Sequence, residues 1–71
     1  MTIYAIYYID DSDRDYFMRR EDAFQCGVEY IHQICEEEDW DLQETESLVD
    51  EFLREEWVAD ICALEEIEVK E

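Results

Sequence analysis

Residues 2–9 read Thr-Ile-Tyr-Ala-Ile-Tyr-Tyr-Ile, and this stretch decides the fold class. It is filled by β-branched and aromatic side chains, which favour strands. Successive side chains of a strand point to opposite faces. One face would therefore hold Thr2, Tyr4, Ile6 and Tyr8, and the other Ile3, Ala5, Tyr7 and Ile9. Neither face is polar, so we expect a central strand, or one whose outer face meets something else.

The residues after this strand predict a hairpin. Positions 10–13 read Asp-Asp-Ser-Asp, which is typical of a turn because Asp and Ser side chains bond to nearby backbone amides. Tyr16, Phe17 and Met18 then predict a short second strand that returns beside the first.

From Glu21 the spacing of apolar residues changes to that of a helix, which should end near Glu37. Gly27 lies on the apolar side of this helix, although Gly costs a helix about 0.5–1 kcal/mol relative to Ala. We therefore expect another element to approach closely at Gly27. The apolar side consists of Phe24, Gly27, Val28, Ile31, Ile34 and Cys35, and the opposite side of Gln25, Glu29, His32 and Glu36.

A second helix is predicted to begin at Asp41, because Asp41 and Glu44 have the spacing of a capping box with Asp in place of Ser or Thr. After Asp60 the sequence predicts a last strand, in which Leu64 falls out of phase. The second helix would bury Leu48, Val49, Phe52, Leu53 and Trp57. The last strand would point Ile67 and Val69 inward and Glu66, Glu68 and Lys70 outward.

The resulting order, β-β-α-α-β, predicts one α+β domain over residues 1–71, with a small antiparallel sheet covered on one face by a helical hairpin. The uncovered face would expose Tyr and Ile side chains, which favours a homodimer or another protein partner bound through the N-terminal strand. In that alternative the protein is a small acidic accessory or adaptor protein, and Tyr4 and Tyr8 make the contact.

The chain has 71 residues, with 23 Asp or Glu against 5 Lys or Arg, for a net charge of −18. This acidity argues against direct binding to nucleic acid or to an anionic membrane, both of which need a basic surface. A disordered acidic tail is also excluded, because 48% of the residues are hydrophobic and 14% are aromatic.

Three cysteines without a Cys-x-x-Cys pair predict free thiols rather than a disulfide framework. The sequence shows no apolar run long enough to span a membrane and no basic region before an apolar stretch. We therefore expect a cytoplasmic protein.

Catalysis finds little support in the sequence. His32 is the one histidine and falls on the predicted solvated face, and the single Gly excludes a Gly-rich phosphate loop. Turn and cap positions account for Ser12 and Ser47. We expect a protein that is not an enzyme and that uses no cofactor.

Residues 11–15, Asp-Ser-Asp-Arg-Asp, match the start of an EF-hand calcium loop, with Asp22 at the twelfth position. However, Tyr16 replaces the Gly that the sharp turn requires, and the preceding segment predicts a strand rather than a helix. The favoured interpretation is an acidic turn without a metal, and calcium binding by Asp11, Asp13, Asp15 and Asp22 stays open as an alternative.

The distribution of charge is more informative than its total. Residues 1–20 hold four acids and three arginines, for a net charge of −1, whereas residues 21–71 hold nineteen acids against Arg54 and Lys70, for −17. Like charges four residues apart destabilise a helix. The repulsion between acids on the second helix therefore suggests that their negative electrostatic field serves to bind a partner. The residues predicted to bind a partner are Glu36, Glu37, Glu38, Asp39, Trp40, Asp41, Glu44, Glu46, Asp50, Glu51 and Glu55.

A compact chain of this length has a diameter of roughly 28 Å, and duplex DNA of that length carries about 16 phosphate charges. The net charge is therefore similar to that of DNA. Trp40 can serve as an aromatic anchor among the carboxylates or pack before the second helix. Trp57, by contrast, is expected in the core.

Small size, extreme acidity and a helix-plus-sheet pattern resemble the DNA-mimic inhibitors made by bacteriophages and mobile elements. These include antirestriction proteins, uracil-glycosylase inhibitors and several anti-CRISPR proteins. The class shares no common motif, so no residue is carried over from it. The resemblance implies an inhibitor that acts in a bacterial host cell and occupies the basic nucleic-acid channel of a defence enzyme, such as a CRISPR effector or a restriction nuclease.

Overall fold

Two helices lie against one face of a four-stranded antiparallel sheet, in a computed structural model that describes residues 1–9, 11–59 and 61–70. The predicted α+β fold is confirmed. The side chains of Asp11 and Ser12 lie outside the description, as do Asp10 and Asp60, at which the sequence predicted a turn and a boundary. The elements are β1 (Thr2–Tyr8), β2 (Asp11–Phe17), α1 (Arg20–Glu37), α2 (Leu42–Glu55), β3 (Trp57–Val58) and β4 (Cys62–Glu68).

β1 is a central strand, as its two apolar faces predicted, because the sheet order is β2-β1-β4-β3. Ile6 pairs with Asp15 of β2 on one side and with Leu64 of β4 on the other. Strands β1 and β4 stay in register over seven residue pairs, from Thr2 with Glu68 to Tyr8 with Cys62.

The core identifies the covered face of the sheet. Ile6 of β1 and Leu64 of β4 pack in one buried cluster with Ile31 of α1 and Phe52 of α2. Thr2, Tyr4 and Tyr8 lie on the same side of β1 as Ile6, so the expectation that Tyr4 and Tyr8 form an outer surface is wrong. The Tyr8 and Tyr30 rings lie 4.5 Å apart between sheet and helix.

The opposite side of the sheet is called the open face here. Ala5 is fully buried but lies outside the core cluster, and its partners on the neighbouring strands are Tyr16 and Glu65. By strand alternation and pairing, the open face consists of Ile3, Ala5, Tyr7, Arg14, Tyr16, Trp57, Ala63, Glu65 and Ile67.

β2 is longer than the sequence predicted, since it begins at Asp11 rather than at Tyr16. Backbone pairing with β1 outweighs the turn preference of Asp and Ser, and an edge strand tolerates charged side chains. The ladder shifts register beside Tyr7 and Tyr8. A strand at this position is incompatible with an EF-hand loop.

α2 ends sooner than expected, and the short strand β3 follows it. Glu56 has a φ of 60°, and its amide donates to the Phe52 carbonyl at 2.8 Å, which ends the helix. Trp57 therefore lies in a strand beside Ala63 rather than on the helix. The prediction that Trp57 and Leu53 are buried was wrong, because Trp57 is 52% exposed and Leu53 is 50% exposed.

The faces of β4 also differ from the prediction. Leu64 points into the core and Ile67 lies on the open face, while Glu66 and Glu68 lie on the helix side. Pairing with β1 sets this register, because Leu64 stands opposite Ile6. Alternation within β4 alone could not reveal which side the helices would cover.

α1 follows its predicted pattern closely. Gly27, Ile31 and Cys35 are buried, and His32 is exposed, as expected. The close approach predicted at Gly27 is confirmed, because a methyl group there would lie 2.3 Å from Cζ of Phe52. α1 and α2 therefore pack through this contact.

The molecule is elongated, with extents of 45 × 23 × 17 Å and a Cα radius of gyration of 12.5 Å. Among the residues described, no helix has the length and apolar content needed to span a membrane. The cysteines at 26, 35 and 62 are free thiols, as predicted, with Cys35 and Cys62 buried and Cys26 half-buried.

Candidate partner-binding surface

The acidic connection between the helices has a defined backbone geometry. α1 ends in a turn in which Asp39 has a φ of 57°, in the left-handed region. The Trp40 amide donates to the Cys35 carbonyl at 2.9 Å, and the Asp39 amide donates to the Glu36 carbonyl at 3.3 Å. This pair of bonds forms a Schellman motif, which satisfies the last carbonyls of a helix.

Asp41 begins α2 directly after this turn. Its Oδ1 accepts a hydrogen bond from the Glu44 amide at 2.8 Å, and its carbonyl accepts one from the Thr45 hydroxyl at 3.0 Å. The predicted N-cap at Asp41 is confirmed. Together the turn and the cap hold the acids of positions 36–41 at one end of the helical hairpin.

The acids of α2 form two rows along the helix. At 3.6 residues per turn, residues four or seven apart lie near one line. One row consists of Glu46 and Asp50, and the other of Glu44, Glu51 and Glu55. Arg54 lies between the rows. All five carboxylates are exposed except that of Glu51, which is half-buried.

α1 carries a third row, which the sequence interpretation missed. Asp22, Glu29 and Glu36 are exposed and seven residues apart, so they recur about every 10.5 Å along the solvent side of the helix. Only Glu36 was among the predicted residues. The seven-residue spacing of these acids was the signal in the sequence that could have revealed the row. The prediction relied instead on the denser run of acids at positions 36–41.

We call residues 20–56 the acidic helical layer. It contains fourteen acids against Arg20 and Arg54, for a net charge of −12. Among the residues that the structure describes, the open face on the other side of the sheet holds one cation, Arg14, and one anion, Glu65. The charge that is one-sided in the sequence is therefore also one-sided in space.

The comparison with DNA changes with the shape of the molecule. Duplex DNA as long as the 45 Å axis carries about 26 phosphates, so a net charge of −18 is about two-thirds of that density rather than equal to it. A charge density equal to that of DNA would require a spherical molecule about 28 Å across, whereas this molecule is elongated. α1 spans about 27 Å, and duplex of that length carries about 16 charges, against −12 for the layer.

Two apolar side chains interrupt the acids at the connection. Trp40 is 43% exposed and Leu42 is 69% exposed. The structure therefore leaves Trp40 available as an anchor, although its backbone belongs to the helix-ending turn. Trp57 lies on the open face, away from this cluster.

Arg20 joins three elements at the start of α1. Its guanidinium forms an ion pair with Glu56 after α2 and another with Glu66 of β4, where Nη1 lies 3.2 Å from Oε1. It also lies over the Phe24 ring, 5.2 Å from the centroid. These groups are partly exposed, so each pair is worth little in energy. Their consequence is electrostatic. Arg20 neutralises part of the negative charge near Glu56 and Glu66, whereas the acids at residues 36–41 keep theirs.

A polar cluster lies between sheet and helix at Tyr8. Its hydroxyl donates to Asp15 at 2.5 Å and lies 3.1 Å from Sγ of Cys26. Burial, with these two hydrogen bonds, raises the pKa of Tyr8. The phenol therefore stays protonated at neutral pH, which suits a structural donor and not a general base.

Within 1–9, 11–59 and 61–70, no group of three or more His, Cys, Asp or Glu side chains is arranged to hold a metal ion. Asp22, the twelfth position of the calcium-loop match, lies in the first turn of α1.

The surface is thus defined by three rows of carboxylates and by an exposed Trp at the helix connection. In comparisons with protein-family models, with curated proteins and with solved structures, nothing matches this chain.

Proposed function

We propose that this protein is a non-enzymatic inhibitor that binds the basic nucleic-acid channel of a host defence or nucleic-acid-processing protein. The observation that carries the proposal is the separation of charge, with −12 on the acidic helical layer and, among the described residues, one charge of each sign on the open face. A protein that needed acidity only for solubility would have no reason to concentrate it on one side of its sheet.

The length of the carboxylate rows supports a phosphate-like role for the carboxylates. Glu29 and Glu36 stand about 10.5 Å apart along α1, and the rows on α2 run beside them. A channel that binds a nucleic-acid backbone presents Lys and Arg side chains over a similar length. The carboxylates form ion pairs with those cations and exclude the nucleic-acid substrate from the channel. A CRISPR effector or a restriction nuclease, which has such a channel, is therefore a suitable target.

The contact is centred on the connection between the helices. Acids at positions 36–41 surround Trp40, and tryptophan is among the residues that contribute most to protein interfaces. Exposed Leu42 extends the apolar spot. Electrostatic attraction steers the encounter, and the aromatic anchor slows dissociation.

The proposal is tested by capture from a bacterial lysate followed by competition with DNA. Any enzyme retained by the protein is loaded with a fluorescent duplex, and displacement of that duplex is measured. Inhibition should weaken as salt rises, because the contact is ionic. Capture of no nucleic-acid enzyme, or inhibition that is independent of salt, would contradict the proposal.

Matched charge reversals locate the contact. The double variant Glu37→Lys with Glu46→Lys changes the acidic helical layer. The control, Asp13→Lys with Glu68→Lys, makes the same change in net charge on the sheet. We expect the first to weaken inhibition by about tenfold or more, equivalent to about 1.4 kcal/mol, and the second to weaken it by less than about threefold. Equal effects would show that total charge, and not the layer, decides binding.

A further inference from the structure

β4 has a length of edge that no other strand covers. The backbone groups of a strand point alternately to its two sides. The Leu64 amide donates to the Glu56 carbonyl at 2.8 Å, on the side away from β1. The amides and carbonyls of Glu66 and Glu68 therefore point the same way. Within the ranges that the structure describes, no strand pairs with them there, because β3 is two residues long. We call this outer side of residues 65–68 the free edge.

The connection between α2 and β3 leaves the free edge uncovered. Glu56 has a φ of 60°, and the chain reaches it from α2, which packs on one face of the sheet. β3 therefore cannot continue backward along β4. Residues 65–68 span about 13 Å, so the gap beside them has the length of a short strand in line with β3.

We propose that the free edge binds an extended basic segment of another protein, which adds to the sheet as an antiparallel strand in line with β3. The inference goes beyond the proposed function, because backbone hydrogen bonds and not the acidic helical layer make the contact. Glu66 and Glu68 offer two amides and two carbonyls to this segment. Unpaired edge groups are a template for another chain, and strand addition binds through such main-chain bonds.

The side chains along the free edge select the charge of the segment. Glu65, Glu66 and Glu68 are exposed and give residues 65–68 a net charge of −3. Opposite charges on neighbouring strands stabilise their pairing. A segment with Lys or Arg at every second position would place cations beside Glu66 and Glu68. The residue between those cations would lie beside half-buried Ile67, which favours an apolar side chain there.

Contacts within the chain leave most of this charge in place. Glu65 and Glu68 accept hydrogen bonds from a tyrosine and a threonine hydroxyl of β1, which carry no charge. Glu66 is paired with Arg20, but Arg20 is also paired with Glu56, so one guanidinium serves two carboxylates. The one lysine of the chain and its N-terminal amino group lie past the end of β4.

The same acids argue against a second copy of this chain as the occupant. Two free edges can pair antiparallel about a two-fold axis centred on Glu66, Ile67 or Glu68. The first and last of these place the central glutamate opposite its own copy, and the second places Glu66 opposite Glu68 of the other copy. Like charges directly opposite destabilise a strand pair. Acids that oppose self-association therefore favour a basic partner.

The edge on β2 is less suited to the same segment. The ladder of β2 with β1 shifts register beside Tyr7 and Tyr8, and such irregularities twist an edge away from further pairing. β2 also carries Arg14, which would repel a basic strand. β4, by contrast, stays in register with β1 over seven residue pairs.

Amide hydrogen exchange measured by nuclear magnetic resonance tests the proposal. The probe is a synthetic peptide as long as β4 in which Lys and Val alternate. In the free protein, the amides of Glu66 and Glu68 should exchange faster than those of Glu65 and Ile67, which face β1. The saturating probe should slow the first pair by about tenfold or more. Attraction between charges alone would not protect these amides.

Two modified probes separate strand addition from ionic attraction. In the proposed pairing, the lysines lie opposite Glu66 and Glu68, so their amides face β4 and those of the valines face solvent. Methylation of the lysine backbone nitrogens should weaken binding by about tenfold or more, and methylation of the valine nitrogens by less than about threefold. Both modified probes keep the same charge.

A matched pair of variants tests the protein side. Glu66→Pro removes one outward amide, and proline is tolerated on an edge strand. Glu66→Ala removes the same carboxylate but keeps the amide. We expect the dissociation constant of the probe to be about tenfold or more higher for Glu66→Pro than for Glu66→Ala. Circular dichroism checks that both variants fold, and the modified probes test the wild-type chain in any case.

Unchanged exchange at Glu66 and Glu68 with saturating probe would overturn the proposal. Equal effects of the two methylation patterns, or equal affinities of the two variants, would also overturn it, as would protection of β2 amides instead. Inhibition through the acidic helical layer is measured separately by displacement of duplex DNA. Failure of one proposal is therefore distinguishable from failure of the other.

Discussion

Gly27 sets the distance between the two helices by lacking a side chain. The fully buried Phe52 ring occupies the space beside it, and Phe24 packs edge-on against that ring at a centroid distance of 5.5 Å. Because α1 meets α2 through this contact, the position of the second helix depends on a residue that weakens the first.

Gly27→Ala should therefore destabilise the protein, although the same change usually stabilises a helix. The new methyl would lie 2.3 Å from Cζ of Phe52, and overpacking of a core costs about 1–3 kcal/mol. The higher helix propensity of Ala offsets at most about 1 kcal/mol of this cost. We expect the free energy of unfolding, measured in urea, to fall by about 1–2 kcal/mol.

The matched control for Gly27→Ala uses Phe52→Leu as the background. A smaller side chain leaves room for the methyl, so the same change should cost less there or become stabilising. An increase in stability in the wild-type background would show that Phe52 moves aside at little cost.

Cys62 makes stability sensitive to alkaline pH. Burial raises the pKa of its thiol from 9.0 to about 12, so the unfolded chain ionises first as pH rises. The stability contributed by the neutral thiol is complete below pH 9.0 and is lost as pH rises toward 12. Urea unfolding at about pH 8 and about pH 10 should show a decrease. Cys62→Ala, though less stable throughout, should lose less over this interval. Parallel losses in the two proteins would contradict this assignment.

The helical hairpin combines good local signals with unfavourable charge. A capping residue starts α2 and left-handed residues follow both helices, at Asp39 and Glu56. Yet Glu51 and Glu55 are like charges four residues apart, and an acid near the C-terminal end of a helix opposes its dipole. The element therefore keeps a sequence that is not optimal for stability.

Glu55→Lys should raise stability while weakening inhibition. It removes a repulsive pair with Glu51, creates an attractive pair in the favourable orientation and places a cation in the last turn. We expect a gain of about 0.5–1 kcal/mol in the free energy of unfolding at low salt. Glu55→Gln, which only removes the charge, should give about half of that gain. A loss of stability in Glu55→Lys would mean that Glu55 has a stabilising contact in the fold.

At the scale of the whole molecule, the sheet divides two environments. The helix side carries the rows of carboxylates, while the open face carries aromatic and aliphatic side chains with one charge of each sign. The proposed function follows from this division, because the helix side is suited to a basic partner.

Moderate salt should stabilise the folded chain. A net charge of −18 repels itself more strongly in the compact state than in the expanded one. Raising ionic strength from about 0.01 M to about 0.15 M shortens the screening length from about 30 Å to about 8 Å. The thermal midpoint should rise, and sodium and tetramethylammonium chloride should act alike. A decrease would mean that ion pairs such as that of Arg20 with Glu66 outweigh the repulsion.

Local signals in the sequence determined the fold class, the central strand β1, the length of α1, the close approach at Gly27 and the cap at Asp41. Each depends on residues within one or two turns or on one strand's own pattern. The excess of acids was equally visible in the sequence, although its row on α1 at Asp22 and Glu29 was missed.

Only the tertiary structure decided which side of β1 the helices cover. Both sides are apolar, so alternation could not assign Tyr4 and Tyr8 to the inside. Pairing of β1 with β4, which joins residues more than fifty positions apart, placed Ile67 on the open face and moved Glu66 to the helix side. Pairing of β3 with β4 placed Trp57 on the open face beside Ala63. The sequence therefore determined how much charge the protein carries, and long-range pairing decided that one face would be left almost without it.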